Sequence, residues 1–214
     1  MRGFSCCGSL AAGWVLCAIG AGPAWAAGDT VDAGHYPSSA IGRVNLANGN
    51  YCTGTLVAPD LVLTAAHCLF ALGSNVWYPA RFIRFIAGYN RGTAIAEAAT
   101  LEYRVSAGFE PLNRTEIKNM AYDWALITLD RPVGDLAGYL GVANVERADF
   151  AALAERVSGF ARAGYSNAAG LEVSVDSGCK VDGYFDDLDL LYHHCATLLG
   201  DSGGPIMALL PEGP

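Results

Sequence analysis

The chain is a succession of short apolar or alternating runs, each cut off by Gly, Pro, Asn or Asp after a few residues. One group covers residues 40–45, 51–58, 61–65, 82–87, 101–106 and 125–129, and a second covers 156–163, 171–175, 190–195 and 205–210. No long amphipathic helical pattern develops, and 26 glycines accompany the runs. Short strands with turn residues between them predict an all-β sandwich or barrel. Residues 149–157 have helical spacing and are expected to form a short helix ahead of the second group. The stretch from Asp130 to about Val145 opens on the turn signature Asp-Arg-Pro and is expected to link the two groups. With 52% hydrophobic and 16% charged residues, the chain has ample material for a core, in one large domain or two small ones.

The first 26 residues stand apart. Arg2 gives a positive start, and the apolar run 10–21 is too short to cross a bilayer as a stable helix. Ala24-Trp25-Ala26 then has the small-x-small pattern of a signal peptidase site. Cleavage is expected after Ala26, leaving an exported, periplasmic or extracellular chain that begins at Ala27. No later segment is apolar and long enough to be a membrane span.

Losing the leader removes Cys6, Cys7 and Cys17 and leaves Cys52, Cys68, Cys179 and Cys195. Four cysteines in an exported chain suggest two disulfides with three possible connectivities. The order along the chain, with members of each pair 16 positions apart, favours Cys52–Cys68 and Cys179–Cys195. A zinc site would need shorter spacings between its ligands. The net charge of −8 argues against nucleic acid as a partner, because binding phosphates needs a basic surface.

Three segments carry chemistry. In Leu63-Thr64-Ala65-Ala66-His67-Cys68 an apolar strand ends in two small residues that allow a tight turn, so the imidazole can face a cleft. In Asp123-Trp124-Ala125-Leu126-Ile127-Thr128-Leu129 a carboxylate opens an apolar strand. Asp130 is its local competitor but belongs to the Asp-Arg-Pro turn, so Asp123 is preferred. In Gly200-Asp201-Ser202-Gly203-Gly204-Pro205 a serine lies among residues that permit unusual backbone angles and close approach. A serine hydroxyl is a poor nucleophile until a base takes its proton, and that base needs a carboxylate to orient it. The backbone N–H groups of Gly200 and Ser202 can point at one spot, as an oxyanion hole requires.

The order His, Asp, Ser within these three segments resembles the trypsin/chymotrypsin family of serine endopeptidases. The stretches Tyr36-Pro37-Ser38-Ser39-Ala40-Ile41-Gly42 and Cys52-Thr53-Gly54-Thr55-Leu56-Val57 look most like its bacterial branch related to glutamyl endopeptidases. The resemblance implies two packed antiparallel β-barrels of chymotrypsin type, one over 27–133 with His67 and Asp123 and one over 134–214 with Ser202. It makes His67 the general base and then general acid, and Asp123 the group that fixes its tautomer. Ser202 is then the nucleophile, and Gly200 with Ser202 the oxyanion hole. No cofactor or metal is implied; the partner is a protein or peptide substrate, and the chain is expected to be a monomer. Asp201 matches a residue that often pairs with a freed amino terminus, and whether the Ala27 amine does this is open.

Ala196 occupies the position that is acidic in trypsin, which argues against a demand for Lys or Arg. Thr197 would line the same pocket and points to acidic or small side chains. His193-His194 reads as a strand-edge pair rather than metal ligands. Asp182, Asp186, Asp187 and Asp189 read as a solvated loop rather than a calcium site. Trp77, Tyr122 and Trp124 are expected in packing, and Asn113-Arg114-Thr115 is a glycosylation sequon only in a eukaryotic secretory pathway. Only twelve residues follow Ser202, fewer than the resemblance implies, so the second barrel is expected to be incomplete. That leaves two functions in contention, an active endopeptidase and a truncated, non-catalytic homologue acting as a binding module.

Overall fold

The computed structural model describes residues 18–19, 29–166, 170–185, 188 and 190–211. The expected cleavage site after Ala26, the new terminus Ala27, and Asp186, Asp187 and Asp189 of the acidic loop lie outside the described residues. No described helix is long and apolar enough to cross a membrane.

Six strands close into a barrel: β1 (Ile41–Leu46), β2 (Tyr51–Ala58), β3 (Leu61–Thr64), β4 (Ile83–Ala87), β5 (Ala96–Val105) and β6 (Ala125–Leu129), in the order β6-β3-β2-β1-β4-β5. Every neighbouring pair is antiparallel. Every second residue of these apolar strands turns into the barrel: Ile83, Phe85 and Ala87 on β4 and Ala125, Ile127 and Leu129 on β6 are buried. Val44, Leu56 and Val62 complete the filling. Each such side chain contributes roughly 1.5–3 kcal/mol by leaving water. Closing the sheet also removes its edges.

The short helices α1 (Ile117–Met120) and α2 (Gly134–Ala137) flank β6. The expected linker is thus partly ordered, and Leu140 beyond α2 is fully buried and donates its N–H to Leu56 O at 2.8 Å. Helix α3 (Phe150–Arg156) falls where helical spacing placed it. Its Phe150 stacks on Phe160 and meets Tyr184 edge-on, forming a second, smaller core.

Strands β7 (Gly159–Gly164), β8 (Ser174–Cys179) and β11 (Ile206–Leu209) make the second sheet, with β7 central. The two-residue strand Asp29–Thr30 extends it beside β8, and Ala18–Ile19 pairs in parallel with Ala208 and Leu209. Among the described residues this sheet is open rather than closed. A separate hairpin joins β9 (Val181–Tyr184) to β10 (Leu191–His193).

Three sequence expectations need correction. The strand expected at 101–106 already begins at Ala96, which pairs with Ala87 of β4. The run expected at 171–175 is displaced to Ser174–Cys179, because its register is set by pairing with β7 through Ser174, Asp176 and Ser177, which apolar patterning does not mark. Strand β9 was not expected at all, since Asp182 and Gly183 break its pattern. The Cys52–Cys68 and Cys179–Cys195 disulfides join the pairs that the spacing favours.

Candidate active site

His67 and Asp123 meet because of one ladder. Strands β3 and β6 pair with Thr64 opposite Ala125, so the chain leaving β3 and the chain entering β6 lie side by side. His67 lies in the single 3-10 turn Ala66–Leu69 that follows β3, and Asp123 lies two residues before β6. His67 Nδ1 is 2.6 Å from Asp123 Oδ2, and the His67 backbone N–H donates to Asp123 Oδ1 at 2.8 Å. Asp123 is buried while the imidazole stays partly open. A buried carboxylate gripping one ring nitrogen fixes the ring's orientation and leaves Nε2 for other chemistry. Asp130, the competitor, instead accepts the Ala99 N–H at 3.0 Å on another part of the barrel.

Ser202 is brought to this place by glycine. Gly203 has φ +82°, and a Cβ there would stand 2.3 Å from both Thr53 O and Thr64 Oγ1 and 2.8 Å from Ala65 N. Only a residue without a side chain lets the Ser202 turn press against the strand that leads to His67. Thr53 fastens the contact from both sides, donating its N–H to Ser202 O at 2.9 Å and its hydroxyl to Gly200 O at 2.8 Å. Gly200 has φ +99°, and a Cβ there would collide with Tyr165 O at 2.1 Å. His67, Gly200 and Ser202 all line one open cleft of about 800 Å³, with Tyr51, Leu72 and Leu199 among its walls.

Asp201 turns away from the cleft. Its Oδ1 pairs with Arg162 Nη1 at 2.9 Å in a buried ion pair, and its Oδ2 accepts the Leu198 N–H at 2.8 Å. Burial pushes the Asp201 carboxyl upward, and Arg162 and the Leu198 amide pull against that. Among the described residues the counter-charge to Asp201 is the internal Arg162; Ala27 lies outside them. Sequence reading missed Arg162, whose partner is 39 positions away.

Ala196 and Thr197 are not among the residues that line the cleft with His67 and Ser202. The Ala196 N–H donates to Asp176 Oδ2 at 2.7 Å, and Asp176 is buried. Cys52, His67 and Cys68 lie close enough together to suggest a metal site, but both sulfurs are spent in one disulfide. His194 pairs with Asp182 at 2.6 Å beside Lys180, and the Lys180 contact, then His194, holds the Asp182 carboxyl below its usual range. Trp77 packs on Phe70, Tyr103 and Phe109, whereas Tyr122 is half exposed with its ring over Gly108.

Comparison with known proteins agrees with this architecture. The family model described as Trypsin matches residues 27–211. The modular serine protease of Drosophila melanogaster is 38% identical over 87 residues, 38% of this chain and 13% of that protein. The glutamyl endopeptidase of Bacillus licheniformis is 29% identical over 108 residues, 50% of this chain and 31% of that protein. Glucanase inhibitor protein 1 of Phytophthora infestans is 35% identical over 94 residues, 44% of this chain and 32% of that protein. The matches thus span a third or less of these relatives' own length. A solved Glu endopeptidase in complex with MPD superposes with a TM-score of 0.65 at 24% identity, covering 86% of this chain and 80% of that one, which shows the chymotrypsin-type fold. With the family model matched over most of its length, the chain belongs to the trypsin family of serine proteases.

Proposed function

We propose that the chain is an exported serine endopeptidase that cleaves peptide bonds through an acyl-enzyme. Export rests on the leader sequence and its Ala24-Trp25-Ala26 site. The observation that carries the chemical reading is the double hold of Asp123 on His67, through both ring and backbone, in a cleft that Ser202 also lines. His67 takes the proton of Ser202 as the hydroxyl attacks the scissile carbonyl, then returns it to the leaving amine. Asp123 keeps Nδ1 protonated and stabilises the imidazolium as it forms. The Gly200 and Ser202 N–H groups face the developing oxyanion, where fixed dipoles count most.

Residues 27–133 and 134–214 would act as two units that each bring part of the site, working as a monomer on protein substrates. On the resemblance alone, since neither residue lines the cleft with His67 and Ser202, Ala196 speaks against a cationic specificity residue in the substrate and Thr197 favours an acidic or small one. The matching of a glutamyl endopeptidase over half the chain supports that direction. The test is cleavage of a mixed peptide library by the purified chain, read by mass spectrometry beside Ser202→Ala and His67→Ala. Cleavage by the wild type alone supports the reading. Equal cleavage by all three, or none by any alongside tight peptide binding, overturns it in favour of a contaminant or a binding module.

A further inference from the structure

The cleft that holds His67 and Ser202 has a charge distribution of its own. None of the described residues lining it is Asp or Glu, and the one permanently charged side chain among them is Arg114. That cation stands in a chain of net charge −8. Arg114 is exposed and, among the described residues, makes no ion pair, whereas Arg91, Arg131 and Arg162 are each matched to a carboxylate. Glu110, four residues earlier, is instead occupied by the Asn113 side-chain amide, which donates to its Oε2 at 3.0 Å. The loop that carries Arg114 is held firmly. Buried Asn119 on α1 grips Glu110 at both backbone groups, accepting its N–H at Oδ1 and donating from Nδ2 to its O, each at 2.8 Å. The Glu116 N–H donates to Asn113 O at 2.8 Å and closes a turn that contains Arg114. The same segment runs on to Asp123, whose N–H donates to Met120 O at 3.1 Å. Arg114 is thus anchored to the stretch that delivers Asp123 to His67.

We propose that Arg114 is a specificity-determining residue that takes a substrate carboxylate on the leaving-group side of the cut bond. The inference rests on the proposed roles of His67 and Ser202. His67 hands its proton to the leaving amine, so that half of the substrate occupies the space His67 faces. That space is the cleft that Arg114 lines. Ala196 and Thr197, which the resemblance assigns to the pocket for the acyl half, do not line it. A guanidinium meets a carboxylate with two parallel N–H donors, a geometry that neutral side chains do not match. An aspartyl or glutamyl side chain offers that group, and so does the free C-terminus of a short leaving peptide. Because Arg114 is exposed, water and salt screen the pair and the preference it gives is modest.

The experiment uses acyl transfer, in which an added amine competes with water for the acyl-enzyme formed from an activated ester. The amine bonds to the acyl carbon, Ser202 departs from it, and the amine's proton passes through His67, so the acceptor occupies the leaving-group side. Three acceptors are compared: Ala-Glu amide, Ala-Gln amide, and Ala-Gln with a free carboxylate. The wild type is expected to favour the charged acceptors over Ala-Gln amide by about 3- to 5-fold at low salt, falling towards parity in about 1 M salt. Arg114→Gln should abolish the preference. Arg104→Gln, which removes an exposed cation outside the cleft, should keep it. A preference for only one charged acceptor supports the proposal and identifies the source as side chain or C-terminus. The same acceptors are titrated into the Ser202→Ala chain while following the Arg114 Nε–H resonance, which is assigned by its loss in Arg114→Gln. Only charged acceptors should shift it. This second reading needs no catalysis, so with an inactive chain it alone decides whether Arg114 takes the carboxylate. Equal use of all three acceptors by the wild type, a preference that survives in Arg114→Gln, or a resonance that no acceptor moves overturns the proposal.

Discussion

Asp123 holds His67 at two points, with Oδ2 2.6 Å from the ring Nδ1 and Oδ1 2.8 Å from the backbone nitrogen of the same residue. The second contact matters as much as the first, because it ties the Ala66–Leu69 turn to the start of β6 and so fixes where the ring pivots. Exchanging Asp123 for Asn keeps the shape but offers an amide that can donate to Nδ1 and favour the wrong tautomer. Asp123→Asn is therefore expected to lower turnover by roughly 10⁴-fold with little change in KM. Asp130→Asn should leave both near wild type. Steady-state kinetics of the two variants check this, and the reverse pattern would reassign the carboxylate.

The Cys52–Cys68 bond closes the loop that carries β3 and His67, with a separation of 16 residues. Replacing both cysteines with alanine should cost about 3 kcal/mol, mainly by freeing the unfolded chain. Urea unfolding measures that loss. Activity should fall further than stability alone explains, since Cys68 is the residue after the imidazole.

Tyr165 is fully buried, and its hydroxyl donates to Tyr89 O at 2.9 Å. Burial pushes the phenol well above its ordinary value near 10, so the fold holds this proton more tightly than the unfolded chain does. The resulting stability is fully present below about pH 10 and is lost as pH rises beyond it. Tyr165→Phe should cost about 1–2 kcal/mol at neutral pH by leaving Tyr89 O without its donor. It should also show a smaller fall in stability than the wild type between neutral pH and pH ~11. Denaturant unfolding at both values tests the sign, and parallel falls would contradict it.

Much of this could be read from the chain because the contacts are local in pattern even where they are distant in sequence. Strand β6 is a short apolar run opened by a lone carboxylate, and the six-residue segment around Ser202 is unlike any other part of the chain. The Leu63-to-Cys68 segment likewise announces a strand that ends in a tight turn. The second sheet was harder. Strand β8 carries Ser174, Asp176, Ser177 and Gly178, so its place is decided by pairing with β7 rather than by apolarity. Arg162 escaped notice for a related reason. An arginine between alanines in an alternating run reads as a solvent-facing side chain, and nothing local shows that both faces of β7 are buried.

Glycine positions test the packing independently of the chemistry. A Cβ on Gly42 would stand 2.4 Å from Ile86 O and 2.5 Å from the Phe85 ring inside the barrel. Gly42→Ala is expected to destabilise by about 1–3 kcal/mol through overpacking. Gly141 has open space around it and an ordinary φ, so Gly141→Ala should be neutral or slightly stabilising. Thermal melting of the pair checks the contrast.

The central claim is that His67 activates Ser202. Incubating the purified chain with a fluorophosphonate probe and mapping the adduct by tandem mass spectrometry addresses it directly, since only an activated serine reacts quickly. The expected result is one adduct, on Ser202, formed by the wild type and absent from folded His67→Ala and Ser202→Ala. Labelling of another serine, or undiminished labelling of Ser202 in His67→Ala, would contradict the account.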